Sequence, residues 1–132
     1  MKYDIIVVGS GPGGYVAAIR ASQLGRKVAI VEKDKIGGTC LNRGCIPTKA
    51  LLHSANTYAG RNQFETLGLS YADIRYDMGK IHARKAQVVE TLISGVSGLL
   101  KANKIDVLSG AAQITAPGKV VVDGKEYTCE DI

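Results

Sequence analysis

The segment KYDIIVVGSGPGG, residues 2–14, decides the fold of this 132-residue chain. After a polar start, residues 2–8 become a continuous run of apolar, β-branched side chains, typical of a strand buried on both faces of a parallel sheet. The glycines that follow match G-x-G-x-x-G and precede a predicted helix over residues 13–24. A second buried strand is predicted over residues 27–31. These elements form one βαβ unit, so the sequence predicts an α/β domain built on a parallel sheet.

Each glycine of the motif has its own task in a turn that binds phosphates. Gly9 permits a tight turn, Gly11 lets the backbone approach a pyrophosphate, and Gly14 lets the helix pack closely on the strand. The helix N-terminus offers amide donors and positive charge to the phosphates. Glu32 follows Gly14 by eighteen residues, at the end of the second strand, where it can accept hydrogen bonds from an adenosine ribose. An acid there argues against NADP; the alternative is a glycine-rich turn in an unrelated α/β domain.

The remaining elements follow from apolar spacing and turn signals. They are a helical stretch over 39–58, a polar connection over 61–76, a long helix over 77–101, a third strand over 105–108 and an antiparallel meander over 111–128. Gly44 and Pro47 are expected to interrupt the first of these helices.

Charge and hydropathy limit the classes of partner. Lys and Arg number 17 and Asp and Glu number 12, and residues 20–49 alone hold seven of the basic and two of the acidic residues. That window contains no aromatic residue, whereas nucleic-acid surfaces usually interleave aromatic and basic side chains. We therefore expect a site for an anionic small molecule and no nucleic-acid partner. No apolar run approaches the ~18 residues of a membrane span, and the strand pattern begins by Ile5, so we expect no membrane segment, no leader and a cytoplasmic location.

Cys40 and Cys45 are separated by four residues. In a regular helix their Cα atoms would lie roughly 8.6 Å apart, whereas a disulfide prefers about 5.5–6 Å. A bond therefore requires a distorted turn, which Gly44 and Pro47 can supply. A close pair in a reducing compartment is more often catalytic than structural.

Two other interpretations of this cysteine pair stay open. One is half of a zinc site, for which the remaining candidate ligands are Cys129, His53 and His82, at no recognisable spacing. The other is two unrelated buried cysteines. We expect no metal, and we assign no role to Cys129.

The segment GGTCLNRGCIPTK, residues 37–49, resembles the redox-active segment of the pyridine nucleotide–disulfide oxidoreductases. With Leu41 and Ile46, the continuation ALLHSA over residues 50–55 is similar to the dihydrolipoamide dehydrogenase group of that family. Thr48 stands where glutathione reductases more often carry a second lysine. Mercuric or glutathione-type reductases remain alternatives, as does a non-catalytic adenine-nucleotide-binding module.

The resemblance implies a Rossmann-like FAD-binding domain with a parallel sheet, a long helix pair and a small antiparallel meander. Residues 1–132 would form only the N-terminal part of that domain, and the NAD-binding and dimerisation domains would lie outside this chain. On its own, the 132-residue chain is expected to bind FAD weakly and to show no turnover.

The resemblance also implies a role for each site residue. Cys45 would lie against the isoalloxazine as the thiolate, Cys40 would exchange with the substrate, and Lys49 would lie near flavin N5. The backbone at Ala112 would contact the adenine. The expected cofactor-binding residues are Gly9, Gly11, Gly14, Glu32, Lys33, Gly38, Thr39, Cys40, Lys49 and Ala112.

The implied activity carries electrons from dihydrolipoamide through Cys40 and Cys45 to FAD and then to NAD, a co-substrate. The implied partners are the lipoyl groups of 2-oxo acid dehydrogenase or glycine cleavage complexes, and a second copy of the enzyme in a homodimer. The histidine that moves protons would come from the partner subunit, since neither His53 nor His82 matches it.

Overall fold

Strands and helices alternate along the chain, which ends in three antiparallel strands. The structure, a computed structural model, describes residues 2–132. The elements in order are β1 (Ile5–Val8), α1 (Pro12–Gln23), β2 (Val28–Glu32), α2 (Gly38–Asn42), α3 (Cys45–Gly60), two 3-10 turns (Arg61–Gln63 and Glu65–Leu67), α4 (Met78–Ala102), β3 (Asp106–Ser109), β4 (Ala112–Ala116), β5 (Lys119–Val122) and β6 (Lys125–Thr128). The predicted α/β class is confirmed. Within residues 2–132, no helix is both long enough and apolar enough to cross a membrane.

β2 lies at the centre of the parallel sheet, and β1 and β3 pair with it on either side in parallel register. Because side chains alternate along a strand, Val28 and Ile30 pack against the helices, whereas Ala29 and Val31 pack against the antiparallel sheet. All four side chains are buried. The prediction of a strand covered on both faces is therefore confirmed for β2.

β1 is shorter and more exposed than predicted. It begins at Ile5, not at residue 2, and Val8 at its carboxyl end is 47% exposed. Within residues 2–132, no regular strand pairs with its outer edge. That edge makes isolated bridges instead, and the Ile6 amide donates to the Asp131 carbonyl at 3.0 Å. Both faces of β1 are nevertheless packed, because Ile6 lies in the cluster with the antiparallel sheet and Ile5 and Val7 pack in part against the helices. The prediction of a strand covered on both faces therefore fails at Val8 alone among the β1 residues.

The helices cover one face of the parallel sheet. Pro12 occupies the first position of α1, where its missing N–H costs little. The Asp77 side chain caps α4 by accepting from the Lys80 amide at 3.1 Å, so the helix predicted over 77–101 forms one residue later. The residues buried between the helices and the parallel sheet are Ala18, Val28, Ile30, Leu41, Val96, Leu100 and Ile105.

The helical stretch predicted over 39–58 is divided into α2 and α3. The break lies at residues 43–44, and the expectation that Pro47 also interrupts the helix is wrong, because Pro47 is the third residue of an unbroken α3. Amides in the first helical turn have no intrahelical acceptor, so proline is tolerated there. A Cβ on Gly44 would lie 3.2 Å from the Thr39 carbonyl oxygen, so a side chain at the break would crowd the end of α2.

Two connections differ in detail from the prediction. β3 begins one residue late, because the Ile105 amide still donates to the Leu100 carbonyl at 3.0 Å as the chain leaves α4. The connection over residues 61–76 contains the two 3-10 turns and an edge-to-face pair of Phe64 and Tyr71, with ring centroids 5.5 Å apart. This segment is therefore more ordered than its polar sequence suggests.

The antiparallel strands β4, β5 and β6 form a second sheet that covers the other face of the parallel sheet. β5 is central, and its Val120 and Val122 are buried against Tyr3 and Tyr127. The meander predicted over 111–128 is confirmed. The three layers are thus the meander, the parallel sheet and the helices.

Tyr3 gives this packing a pH limit. It is 1% exposed and donates from its hydroxyl to Asp106 Oδ2 at 2.9 Å. Burial, followed by the hydrogen bond and the charge of Asp106, raises the pKa of Tyr3 from 10.0 to about 12. The neutral form is the one that fits the fold, so its stabilising effect is complete below pH 10 and is lost as the pH rises towards 12.

We therefore expect cooperative alkaline unfolding in which Tyr3 ionises together with the loss of structure. Tyrosinate absorbance and circular dichroism should be followed in one titration, with Tyr3→Phe as the control that cannot ionise. Titration of all six tyrosines below the unfolding transition, with the fold retained, would contradict this account.

Candidate functional site

The turn between β1 and α1 presents free amide groups at a helix N-terminus. Gly9 has φ +95°, a left-handed conformation that favours glycine, and Gly11 is the N-cap of the twelve-residue helix α1. No side chain within residues 2–132 caps this helix, and its first turn carries no acidic residue. The turn therefore has the amide donors and the electrostatic polarity that a phosphate group needs.

Gly14 and Gly11 are glycines for different physical reasons. A Cβ on Gly14 would lie 1.9 Å from the Gly9 carbonyl oxygen, so the packing of α1 on the turn excludes any larger residue. At Gly11, no atom of the described chain lies within 4 Å of the position that a Cβ would take. The fold thus leaves the space beside Gly11 open. This space, the phosphate cradle, can accommodate a pyrophosphate.

Two neighbouring clefts bring together most of the predicted cofactor residues. One, of about 300 Å³, lies at the carboxyl ends of the parallel strands and is lined in part by Gly9, Glu32, Lys33 and Ala112. The other, of about 90 Å³, continues from Glu32 and Lys33 to Gly38 and Thr39. Ligands of open α/β sheets bind at this edge of the strands, so these residues lie where such a ligand would be held.

The Glu32 carboxylate is held by donors of the chain itself. Its Oε2 accepts from the Ser10 amide at 2.9 Å and the Ser10 hydroxyl at 2.6 Å, and its Oε1 accepts from the Asp34 amide at 3.0 Å. Burial alone would raise the pKa of Glu32, but hydrogen bonds from Ser10 and from the Asp34 and Lys33 backbones bring it below its ordinary value of 4.5. The carboxylate is therefore ionised and oriented without a ligand.

The segment that leads to the cysteines lies directly on the glycine turn. Gly38 has φ +60°, and a Cβ there would lie 2.8 Å from the Gly11 Cα atom. The Asn42 amide group donates to the carbonyls of Ile36 and Gly38, at 3.0 and 2.8 Å. Packing within the chain is thus sufficient to explain a glycine at position 38, which the sequence analysis assigned to the cofactor.

Cys40 and Cys45 form a disulfide with their Cα atoms 4.7 Å apart. The break between α2 and α3 allows this approach. The bond between the two sulfurs contradicts the interpretation in which the two cysteines are unrelated. Cys45 is the first residue of the sixteen-residue helix α3 and is exposed, whereas Cys40 lies in α2 and is half-buried. A helix N-terminus favours the thiolate form of a cysteine, and the thiolate is the reactive form.

The cations near the disulfide are placed unequally. Lys49 is exposed and lies four residues after Cys45 on α3, which puts both on one helix face. Arg43 forms an ion pair with Asp34, so part of its charge is already engaged. His53 and His82 are exposed on α3 and α4, and the half-buried Cys129 is a free thiol whose pKa is raised by burial.

Further clefts lie between α3, α4 and the connecting segment, away from the glycine turn and the disulfide. One of about 500 Å³ is lined in part by Tyr58, Tyr76 and Arg84, and one of about 320 Å³ by Leu51, Met78 and His82. Neither is lined by any of the predicted cofactor or disulfide residues.

Sequence reasoning missed three residues of the site. Ser10 is fully buried and holds Glu32, Asn42 ties α2 to the preceding loop, and Asp34 binds Arg43. For Ser10, the sequence did contain a signal, which is a hydroxyl inside a glycine-rich turn. A polar side chain that is buried there needs a hydrogen-bond partner. The partner itself is more than twenty residues away and could not be identified from spacing.

Comparison with known proteins agrees with the geometry. The chain is 53% identical over 122 residues to a dihydrolipoyl dehydrogenase of Rhizobium etli, a match that covers 92% of this chain and 25% of that protein. It is 49% identical over 116 residues to one of Bacillus subtilis, covering 88% of this chain and 24% of that protein. The chain thus spans about a quarter of the length of these two curated relatives.

A solved structure shares the fold. The HOCl-induced flavoprotein disulfide reductase RclA from Escherichia coli, in its Cu(II) complex, superposes with a TM-score of 0.80 and 28% identity over 98% of this chain and 27% of that one. The family model described as pyridine nucleotide-disulphide oxidoreductase matches residues 3–132. The glycine turn, the acidic end of β2 and the Cys40–Cys45 disulfide all lie within that match, and the chain belongs to the pyridine nucleotide-disulphide oxidoreductase family.

Proposed function

We propose that these 132 residues are the FAD-binding and redox-disulfide part of a longer dihydrolipoyl dehydrogenase. The observation that carries the proposal is the contact between the glycine turn and the disulfide segment, where Gly38 packs against Gly11. Because this contact joins the glycine turn to the disulfide segment, it supports a dinucleotide and a redox disulfide that share one site. The identity of about half to dihydrolipoyl dehydrogenases supports this group over the mercuric and glutathione-type reductases.

The residues of the chain have distinct tasks in this proposal. The amides at the start of α1 bind the pyrophosphate, and the ionised Glu32 accepts hydrogen bonds from the ribose. Cys40 forms a mixed disulfide with one thiolate of dihydrolipoamide, and the sulfur of Cys45 leaves as a thiolate. Attack by the second substrate thiolate then releases lipoamide and leaves the two cysteines reduced. FAD, when bound, would accept the electron pair and pass it to NAD.

The N-terminus of α3 stabilises the Cys45 thiolate in both the leaving step and the reduced state, because the helix dipole is positive there. Lys49, one turn along the same face, adds a second positive charge. The proposal therefore assigns substrate exchange to Cys40 and the cofactor contact to Cys45.

The partners and location follow from the proposal. Lipoyl groups of 2-oxo acid dehydrogenase or glycine cleavage complexes would be the electron source, a second subunit would supply a histidine base, and the enzyme would act in the cytoplasm. We expect the 132 residues alone to bind FAD weakly and to show no turnover with NAD, because they span about a quarter of the length of the relatives and the proposal assigns NAD binding and dimerisation to the rest of the enzyme.

The test is the spectrum and substrate profile of the complete enzyme that carries these residues. We expect a yellow protein that contains FAD and reduces NAD with dihydrolipoamide, with far lower activity in reducing glutathione disulfide or mercuric ion with NADPH. A complete enzyme without flavin would favour a non-catalytic nucleotide-binding module. A flavoprotein that prefers glutathione disulfide or mercuric ion as its substrate would still belong to the family but would overturn the assigned substrate.

A further inference from the structure

The buried hydroxyl of Ser10 has no part in the proposed chemistry, yet it joins three parts of the site. Ser10 is 0% exposed and lies between the first two motif glycines. Its hydroxyl donates to Glu32 Oε2 at 2.6 Å and accepts from the Gly37 amide at 3.2 Å. The glycine turn, the end of β2 and the start of the disulfide segment thus meet at one side chain.

The Glu32 carboxylate depends on Ser10 for its orientation. A glutamate at the end of a strand has three rotatable bonds, and fixing it costs conformational entropy. The Ser10 amide and hydroxyl together hold one carboxylate oxygen, while the Asp34 amide holds the other. Glu32 lines both clefts, so a carboxylate fixed in advance spares the ligand that ordering cost.

We propose that Ser10 is a positioning residue for nucleotide binding, whose hydroxyl holds Glu32 in the orientation that accepts the adenosine ribose. This inference rests on the proposed function, because it takes the ligand of the Glu32 cleft to be an adenine nucleotide. It goes beyond that function by assigning a specific task to a side chain that never touches the ligand.

The structure makes Ser10→Ala a selective change. The Gly37 amide also donates to the Ser10 backbone carbonyl, at 3.1 Å, and this bond remains when the hydroxyl is removed. The bond from the Ser10 amide to Glu32 also remains. The variant therefore loses the two hydroxyl bonds while the turn keeps its backbone contacts.

The experiment measures the affinity of the 132-residue chain for ADP by calorimetry and the titration of the Glu32 carboxyl by NMR. We expect Ser10→Ala to bind ADP about tenfold more weakly, the loss typical of one hydrogen bond to a charged group. We also expect the pKa of Glu32 to rise in this variant without ligand, because the Ser10 hydroxyl is one of the groups that lower it.

Two further variants separate positioning from packing. Ser22→Ala removes another part-buried hydroxyl, which donates to the Asn103 carbonyl at 2.6 Å far from Glu32, and should change neither readout. Ser10→Cys fills the same space with a weak donor and should behave like Ser10→Ala, which also keeps the test decisive if Ser10→Ala fails to fold. Glu32→Ala removes the acceptor of the Ser10 hydroxyl, so the Ser10→Ala change should be nearly silent for ADP in that background.

Each outcome decides between the two proposals. The role of the hydroxyl is overturned if wild type and Ser10→Ala bind ADP with equal affinity. It is also overturned if Ser10→Cys binds ADP like wild type while Ser10→Ala binds it more weakly. Both results leave the proposed function standing. A wild-type chain that binds neither ADP nor FAD overturns the proposed function, and this inference with it. If the pKa of Glu32 rose in Ser10→Ala in that same experiment, the hydrogen bond from the Ser10 hydroxyl to Glu32 would be supported, but its role in nucleotide binding would not.

Discussion

Replacing Gly14 by alanine should unfold the chain or destabilise it by about 3 kcal/mol or more. The new Cβ would lie 1.9 Å from the Gly9 carbonyl oxygen, and this neighbour is backbone that cannot rotate away. Overpacking of this kind typically costs about 1–3 kcal/mol and more where nothing can yield. The gain in helix propensity from glycine to alanine, about 1 kcal/mol, is too small to offset it.

Two neighbouring glycines provide matched controls within six residues of sequence. Gly13 also lies in α1, but no described atom is within 4 Å of its Cβ position, so Gly13→Ala should leave stability unchanged or raise it by up to about 1 kcal/mol. Gly11→Ala should also fold normally, because its φ of −66° suits alanine and the space is open. Its methyl group would, however, stand in the cradle.

We therefore expect the three variants to separate folding from binding. Thermal unfolding should identify Gly14→Ala as the single unstable variant, and calorimetry should show ADP affinity falling at least about tenfold in Gly11→Ala at unchanged stability. If Gly11→Ala lowered stability as much as Gly14→Ala, the cradle would be a packing contact. If Gly11→Ala bound ADP like wild type, the phosphate site would lie elsewhere.

The second large effect concerns the order in which the cysteines react. In the reduced chain without FAD, Cys45 should be alkylated first, since it is exposed at the N-terminus of α3 and the helix favours its thiolate. Saturating FAD should reverse this order, slowing Cys45 by about tenfold or more and leaving Cys40 as the reactive thiol. The reason is that the proposed cofactor contact covers Cys45 and leaves Cys40 to the substrate.

Cys129 provides an internal control for this experiment. It is half-buried in the second sheet's cluster, and burial raises the pKa of its thiol, so it should react slowly with or without FAD. Mass spectrometry of the alkylated peptides after short reaction times gives all three rates in one sample. Protection of Cys40 instead of Cys45 would reverse the two assigned roles, and equal protection of all three would indicate a general loss of mobility.

The sequence was sufficient for the features that are local along the chain. The glycine turn, the apolar run of β2, the start of the long helix near Asp77 and the break at Gly44 each depend on neighbouring residues, so their patterns predicted them to within one or two positions. Pro47 was misjudged because its effect depends on where the helix starts. In a helix that begins at residue 39 it would be disruptive, whereas in α3, which begins at Cys45, it lies in the first turn and is harmless.

The features that could not be predicted depend on contacts between distant segments. The exposure of Val8 reflects what lies beside β1, which its own sequence does not state. Ser10 is buried where Glu32 and Gly37 both form hydrogen bonds with its hydroxyl. Position 38 requires a glycine because a Cβ there would lie too close to the Gly11 Cα atom. Such contacts form only when the chain folds, so the sequence indicated the parts of the site but not the bonds that join them.

The most direct test of the central claim is a backbone-amide NMR titration of the 132-residue chain with FAD, which resolves weak binding residue by residue. In the proposed enzyme, one FAD site joins the glycine turn, the end of β2 and the disulfide segment. We predict the largest shifts at Gly9, Gly11, Glu32 and Ala112, with further shifts at Cys45 that ADP alone does not produce. Shifts confined to the clefts between α3 and α4, or no shifts at saturating FAD, would contradict the account.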